Sequence, residues 1–146
     1  FQLLIAGTGS LNNELQEASK CMGLLQNVKF LGFVPDHLLP HLYAFCDIFI
    51  FPTLWEGFGY PPLEAMASGK PVIASSVPSL CDVVGDAGIL VPPNNPRALA
   101  IEILKLINDK KKRTYLGAKA SQRAQKYDWS IIISHYKKLI ESLTKY

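Results

Sequence analysis

Short apolar runs alternate with amphipathic stretches through the first two thirds of the chain, and this alternation predicts strands of four to six residues separated by helices. Residues 1–6 read as a buried strand ending at Gly7-Thr8-Gly9. Residues 11–22 keep helical spacing, with Ser10 or Asn12 available as the N-cap. Residues 28–31 form a short strand stopped by Gly32, and Asp36 can cap a helix running through Cys46, with Leu38, Leu42 and Phe45 on one face. Residues 47–51 are strongly apolar and end at Pro52. The stretch 61–68 has Pro in its first turn and Gly69 just past its end, the asymmetry of helix termini. Residues 71–74 and 89–91 read as strands, with a helical turn at 80–84 between them. After Pro92-Pro93 the pattern changes to helices alone, at 96–108, 110–127 and 129–143.

Such alternation implies an α/β fold: a three-layer, Rossmann-like parallel sheet with helices on both faces, ending in carboxyl-terminal helices. The 146 residues suit one domain, taken here as residues 1–146. In such sheets ligands bind beyond the carboxyl ends of the strands, which directs attention to the residues after Ala6, Leu31, Phe51 and Ala74.

Composition narrows the classes. Hydrophobic residues at 49% and charged residues at 18% fit a packed core rather than disorder. No apolar run approaches the roughly 20 residues of a membrane-spanning helix, and no signal peptide is expected. The chain opens in mid-strand at Phe1, so a fragment of a longer protein is expected. Cys21, Cys46 and Cys81 are odd in number and lack metal-site spacing, which fits a reducing, cytoplasmic setting. The net charge of +3 is uneven. Residues 105–146 carry eleven Lys/Arg against Asp109, Asp128 and Glu141, whereas residues 1–104 carry four against nine acids. A solvated helical face accounts for that surplus, and no aromatic residues interleave with it as a nucleic-acid platform requires. It also leaves open peripheral contact with an anionic inner membrane surface.

Gly7-Thr8-Gly9 stands where a phosphate turn would, but Asn12 occupies the place of the third glycine. His37 and His41 share the spacing of zinc ligands, yet Leu38 stands where the metalloprotease glutamate belongs and Pro40 disturbs the helix, so no metal site is expected. The informative stretch is 52–75, PTLWEGFGYPPLEAMASGKPVIAS. A strand ends at Pro52, and a loop with Gly57 and Gly59 leads into a helix opened by Pro61-Pro62. Glycines let a ligand approach the backbone, and the amide groups and positive dipole end of a helix suit a phosphate. Glu56 lies in the loop and Glu64 about one turn into the helix. Singly, these are an exposed loop acid and an ordinary first-turn glutamate. Together beside an anion site they fit a ligand that carries hydroxyls as well as phosphate.

Glu-x7-Glu enclosing Gly-Phe-Gly, followed by Glu-Ala-Met-Ala-x-Gly-x-Pro-Val-Ile-Ala, resembles the donor-binding signature of retaining glycosyltransferases of family 4, the group 1 enzymes with two Rossmann-like domains (GT-B). The resemblance continues through residues 3–9, 28–35, 42–52, 81–91 and 127–129. Asp82 departs from it, standing where the family usually has Glu. It implies the carboxyl-terminal, nucleotide-sugar-binding half of a retaining hexosyltransferase that uses a GDP- or UDP-sugar and a glycan or lipid-linked acceptor. The family's first βα unit in this domain, with an Arg and a Lys on the pyrophosphate, and its acceptor-binding amino-terminal domain lie outside these residues. Residues 1–146 alone are therefore expected to be inactive.

By the same resemblance Glu64 would accept hydrogen bonds from the ribose hydroxyls, and Glu56 would hold hydroxyls of the donor sugar as the catalytic carboxylate. The backbone of Gly57, Phe58 and Gly59 would lie along sugar and phosphates, Tyr60 and Leu63 would pack beside the nucleotide, and Val34 would meet the base. Transfer would need no metal or other cofactor. A non-catalytic nucleotide-binding or interaction module of the same fold is the alternative. A glycoside hydrolase using the two carboxylates fits less well, because it needs no phosphate-binding helix end.

Overall fold

The computed structural model describes residues 1–144, and each expected strand and helix forms in the expected order, although the first strand, expected to be buried, has Leu3 and Ala6 exposed. The chain divides into two compact units, one covering Phe1–Leu39 and the other beginning at Pro40. Its strands pair as two parallel sets, one within each unit, rather than as a single hydrogen-bonded sheet.

In the first unit β1 (Leu3–Ala6) and β2 (Val28–Gly32) run parallel, with Leu3 opposite Val28 and Ile5 opposite Phe30. The connecting α1 (Asn12–Cys21) lacks the expected side-chain cap. Leu11 takes the N-cap position, Ser10 stands one residue too early, and Asn12 is already helical, its N–H donating to the Gly9 carbonyl at 3.1 Å. Asp36 likewise caps no helix. Residues 36–38 form a turn, Leu39 N–H donates to the Asp36 carbonyl at 3.2 Å, and α2 runs over Leu39–Phe45 with Pro40 in its first turn, where a missing N–H is tolerated.

The second unit is built on β3 (Phe49–Phe51), β4 (Val72–Ser75) and β5 (Ile89–Val91), in the order β3-β4-β5. All four residues of β4 are buried, as a central parallel strand covered on both faces requires. Ile73 forms a core cluster with Val91, Leu106 and Leu116, against which Ile48, Leu99 and Ile103 pack. That layer comes from α5 (Pro96–Asn108) and α6 (Lys110–Ala124). Strand side chains alternate, so Val72 and Ala74 look to the opposite face. There α3 (Tyr60–Ala67) and α4 (Pro78–Val84) bring the buried Ala65, Met66, Leu80 and Val84. A last helix, α7, covers Trp129–Leu143. The chain is thus a Rossmann-like α/β fold ending in helices. No described helix is long and apolar enough to cross a membrane.

Part of the basic surplus is structural. Arg113 donates from Nη1 to the Leu106 and Ile107 carbonyls at 2.6 and 2.8 Å, closing the end of α5. Arg123 does the same for α4, with Nε on the Val83 carbonyl at 2.7 Å and Nη2 on that of Asp82 at 2.6 Å. These satisfy orphan helix-end carbonyls. The hydrogen bond and charge of Lys119, 2.9 Å away, hold the Asp86 carboxyl below its usual range.

Helix α6 lies close on the turn between α3 and β4, and a Cβ at Gly117 would collide with the Gly69 carbonyl oxygen. Backbone cannot yield as a flexible side chain can. Gly117→Ala should therefore destabilise the second unit by about 1–3 kcal/mol despite alanine's better helix propensity. Denaturant unfolding checks this, and an unchanged or raised midpoint would show that the two backbones are not in forced contact.

Candidate functional site

The loop after β3 and the helix after β4 meet at the carboxyl edge of the three-stranded sheet. Ser79, near the start of α4, donates its hydroxyl to the Glu56 carbonyl at 2.7 Å and so ties the loop to α4. Gly59 then opens α3 with φ 103°, and a Cβ there would strike the Leu80 side chain. Left-handed backbone and the close approach of Leu80 both call for glycine. Seven of the eight residues singled out in the sequence, Glu56 to Glu64, therefore lie together on one loop and the helix that it opens. Val34 belongs to the first unit, half-buried in the loop after β2.

Glu56 is half-buried, and its Oε1 accepts from the N–H groups of Gly57 at 3.0 Å and Phe58 at 3.4 Å. These are two of the amides that the resemblance assigns to sugar and phosphates, so a ligand oxygen there must displace Glu56 Oε1 or share the donors with it. The first turn of α3 offers fewer donors than a helix end usually does. Pro61 and Pro62 have no N–H, and Leu63 N–H donates to the Gly59 carbonyl at 3.1 Å. What remains for an anion is the Tyr60 amide, the loop and the helix dipole. Phe58 sits between two other aromatics, its ring centroid 4.9 Å from that of Tyr60 and 5.9 Å, edge-on, from that of Tyr127. The Tyr127 hydroxyl donates to the Asp82 carbonyl at 3.1 Å. Tyr60 is 59% exposed and available to a ligand.

Glu64 is an exposed residue, yet its carboxylate is not loose: Oε2 accepts the buried Tyr43 hydroxyl at 2.8 Å. Burial, and then the Glu64 hydrogen bond and charge, push the Tyr43 phenol well above its usual range, so it stays an O–H donor. On another side Leu63, Glu64 and Ala67 line an open depression of about 420 Å³ with Tyr127, Asp128 and Trp129. Ser79 and Tyr43 were not among the candidates read from the sequence. Ser79 carried a weak signal, a hydroxyl beside Pro at a helix start. Tyr43 falls within the matched segment 42–52, but nothing there pointed to a partner 21 residues away on another helix.

Burial raises the Cys46 thiol above its usual range, and Sγ donates to the Tyr43 carbonyl at 3.3 Å. Cys21 and Cys81 are free and exposed. Among the described residues no three His, Cys, Asp or Glu side chains gather as a metal site would.

Comparison with known proteins gives this constellation a context. Residues 1–123 match the family described as glycosyl transferases group 1. The chain is 43% identical over 102 residues to the O-antigen chain mannosyltransferase B of Escherichia coli, covering 70% of this chain and 27% of that protein. It is 35% identical over 146 residues to the phosphatidyl-myo-inositol mannosyltransferase of Mycobacterium leprae, covering 97% of this chain and 38% of that one. The chain thus spans about a quarter to two fifths of the length of these curated relatives. Among solved structures, Anabaena HepE in complex with UDP and glucose superposes with a TM-score of 0.83 at 29% identity, covering 99% of this chain and 41% of that chain. Its fold, its order of elements and the match over residues 1–123 place the chain in the glycosyl transferases group 1 family.

Proposed function

We propose that this chain forms the donor-binding part of a retaining hexosyltransferase of family 4, which moves a hexosyl group from a GDP- or UDP-sugar to a glycan or lipid-linked acceptor. The observation that carries the reading is the placement of two carboxylates eight residues apart at the carboxyl edge of a parallel sheet. One stands on a glycine-bearing loop and the other a turn into the helix that this loop opens. The relatives named as mannosyltransferases and the Anabaena structure with UDP and glucose support it.

In this plan Glu64 accepts the ribose hydroxyls, and Tyr60 and Leu63 pack beside the nucleotide. The backbone of Gly57, Phe58 and Gly59 follows the sugar and phosphates. Glu56 leaves its own loop amides to hold hydroxyls of the donor sugar, freeing those N–H groups for the departing diphosphate. The bond from the anomeric carbon to the diphosphate breaks as a bond from that carbon to the acceptor oxygen forms on the same face, and the acceptor's hydroxyl proton passes to the leaving diphosphate oxygen. Charge then builds on the leaving diphosphate, where loop amides and cations stabilise it most. The basic carboxyl-terminal segment and a relative named as a phosphatidyl-myo-inositol mannosyltransferase support work at the cytoplasmic membrane surface.

A hydrogen bond to a charged partner contributes about 1.5–3 kcal/mol, so Glu64→Ala should weaken nucleoside diphosphate binding by the intact protein about tenfold or more. Calorimetry reads this directly. Glu56→Ala should spare that affinity while lowering turnover, because its partner is the sugar. Unchanged diphosphate affinity in the Glu64 variant would remove the assignment, and tight binding with no sugar transfer by the unaltered protein would favour a non-catalytic module. No step is routed through a metal ion, so transfer should persist in EDTA. An absolute requirement for magnesium or manganese would contradict the plan.

A further inference from the structure

The contact between α2 and α3 assigns a second layer to this site. We infer that Tyr43 is a positioning residue that turns the Glu64 carboxylate so that one oxygen is held by the protein and the other is presented to a vicinal diol, the ribose of the nucleotide. The inference rests on the role proposed for Glu64 and deepens it.

Four observations carry it. Tyr43 is 7% exposed, whereas Glu64 at the other end of the bond is exposed, so the contact links a fixed core group to a solvent-facing one. The phenol ring is itself held, edge-on against Phe49 with centroids 5.6 Å apart, and Phe49 stacks at 6.2 Å on Phe51 of the same strand. The hydroxyl reaches Oε2 at 2.8 Å, the length of a sound O–H···O⁻ bond. No other protein donor among the described residues reaches this carboxylate, which leaves Oε1 as its open acceptor.

Glutamate has more rotamer freedom to lose than most side chains, and an unsupported one on a helix surface would lose it only when ligand binds. A donor held in place by core packing removes that loss beforehand, as preorganisation does. A buried phenol also needs a partner of its own. Tyr43 could be satisfied by any acceptor, however, and a structural role alone would not require one that faces solvent.

The test compares each nucleoside diphosphate with its 2′-deoxy counterpart, using UDP and GDP on the intact protein. Because a hydrogen bond to a charged group is at stake, Tyr43→Phe should cut the preference for the ribonucleotide about threefold or more, with the 2′-deoxy affinity nearly unchanged. Phenylalanine keeps the ring against Phe49, so folding should survive; Tyr43→Met, which also removes the hydroxyl, gives a second reading. In the Glu64→Ala background the Tyr43 change should have no further effect on the preference. Equal weakening of both nucleotides, or an unchanged preference while Glu64→Ala abolishes it, would overturn the role of Tyr43 alone. A preference that survives Glu64→Ala would overturn the ribose assignment on which it stands.

Discussion

The backbone at Gly59 governs the arrangement of everything around the site. The chain leaves a three-residue strand at the edge of its sheet and must start a helix within nine residues. A φ of 103° makes that turn, and Leu80 packs where any side chain would extend. Gly59 thereby sets the direction in which α3 starts, and α3 carries Glu64. The Ser79 hydroxyl on the Glu56 carbonyl fixes the other end of the same loop. Both carboxylates therefore take their positions from backbone constraints that originate in α4, the helix on the next βα unit.

The carboxyl-terminal helices stand behind this platform. Helix α6 meets the turn after α3 through the backbone contact of Gly117 with Gly69. Arg123 anchors the end of α4 while its guanidinium lies 3.7 Å from Asp86. Lys105 pairs with Glu102 at 2.6 Å. The concentration of positive charge after residue 104 is thus partly explained by helix-end carbonyls and neighbouring acids, which need cations whatever the protein binds. Among the described residues Lys110, Lys111, Lys112, Lys126, Lys137 and Lys138 are the part left for a surface role.

The sequence carried the elements better than their ends and their contacts. An uninterrupted apolar run identified β4, and proline and glycine at its two ends identified α3, because both signals are local. The caps of α1 and α2 were misjudged for a reason of one or two residues: Ser10 and Asp36 are good capping types, but the tight turns before each helix place Leu11 and Leu39 at the boundary instead. The scarcity of free amides at the start of α3 was legible in Pro61-Pro62, which carry no N–H, and the general expectation for helix ends obscured it. The Tyr43–Glu64 bond was not legible. It joins two helices through the packing of aromatic rings on β3, and no spacing along the chain encodes that.

The central claim is that the loop and helix from Glu56 to Glu64 hold a nucleotide-sugar with Glu64 on the ribose. A crystal structure of the intact protein with UDP or GDP bound tests it most directly. The account predicts a ribose hydroxyl within about 2.5–3.0 Å of Glu64 Oε1, with the Tyr43 hydroxyl still on Oε2. A nucleotide bound away from α3, or a ribose held by other groups with Glu64 facing solvent, would contradict it.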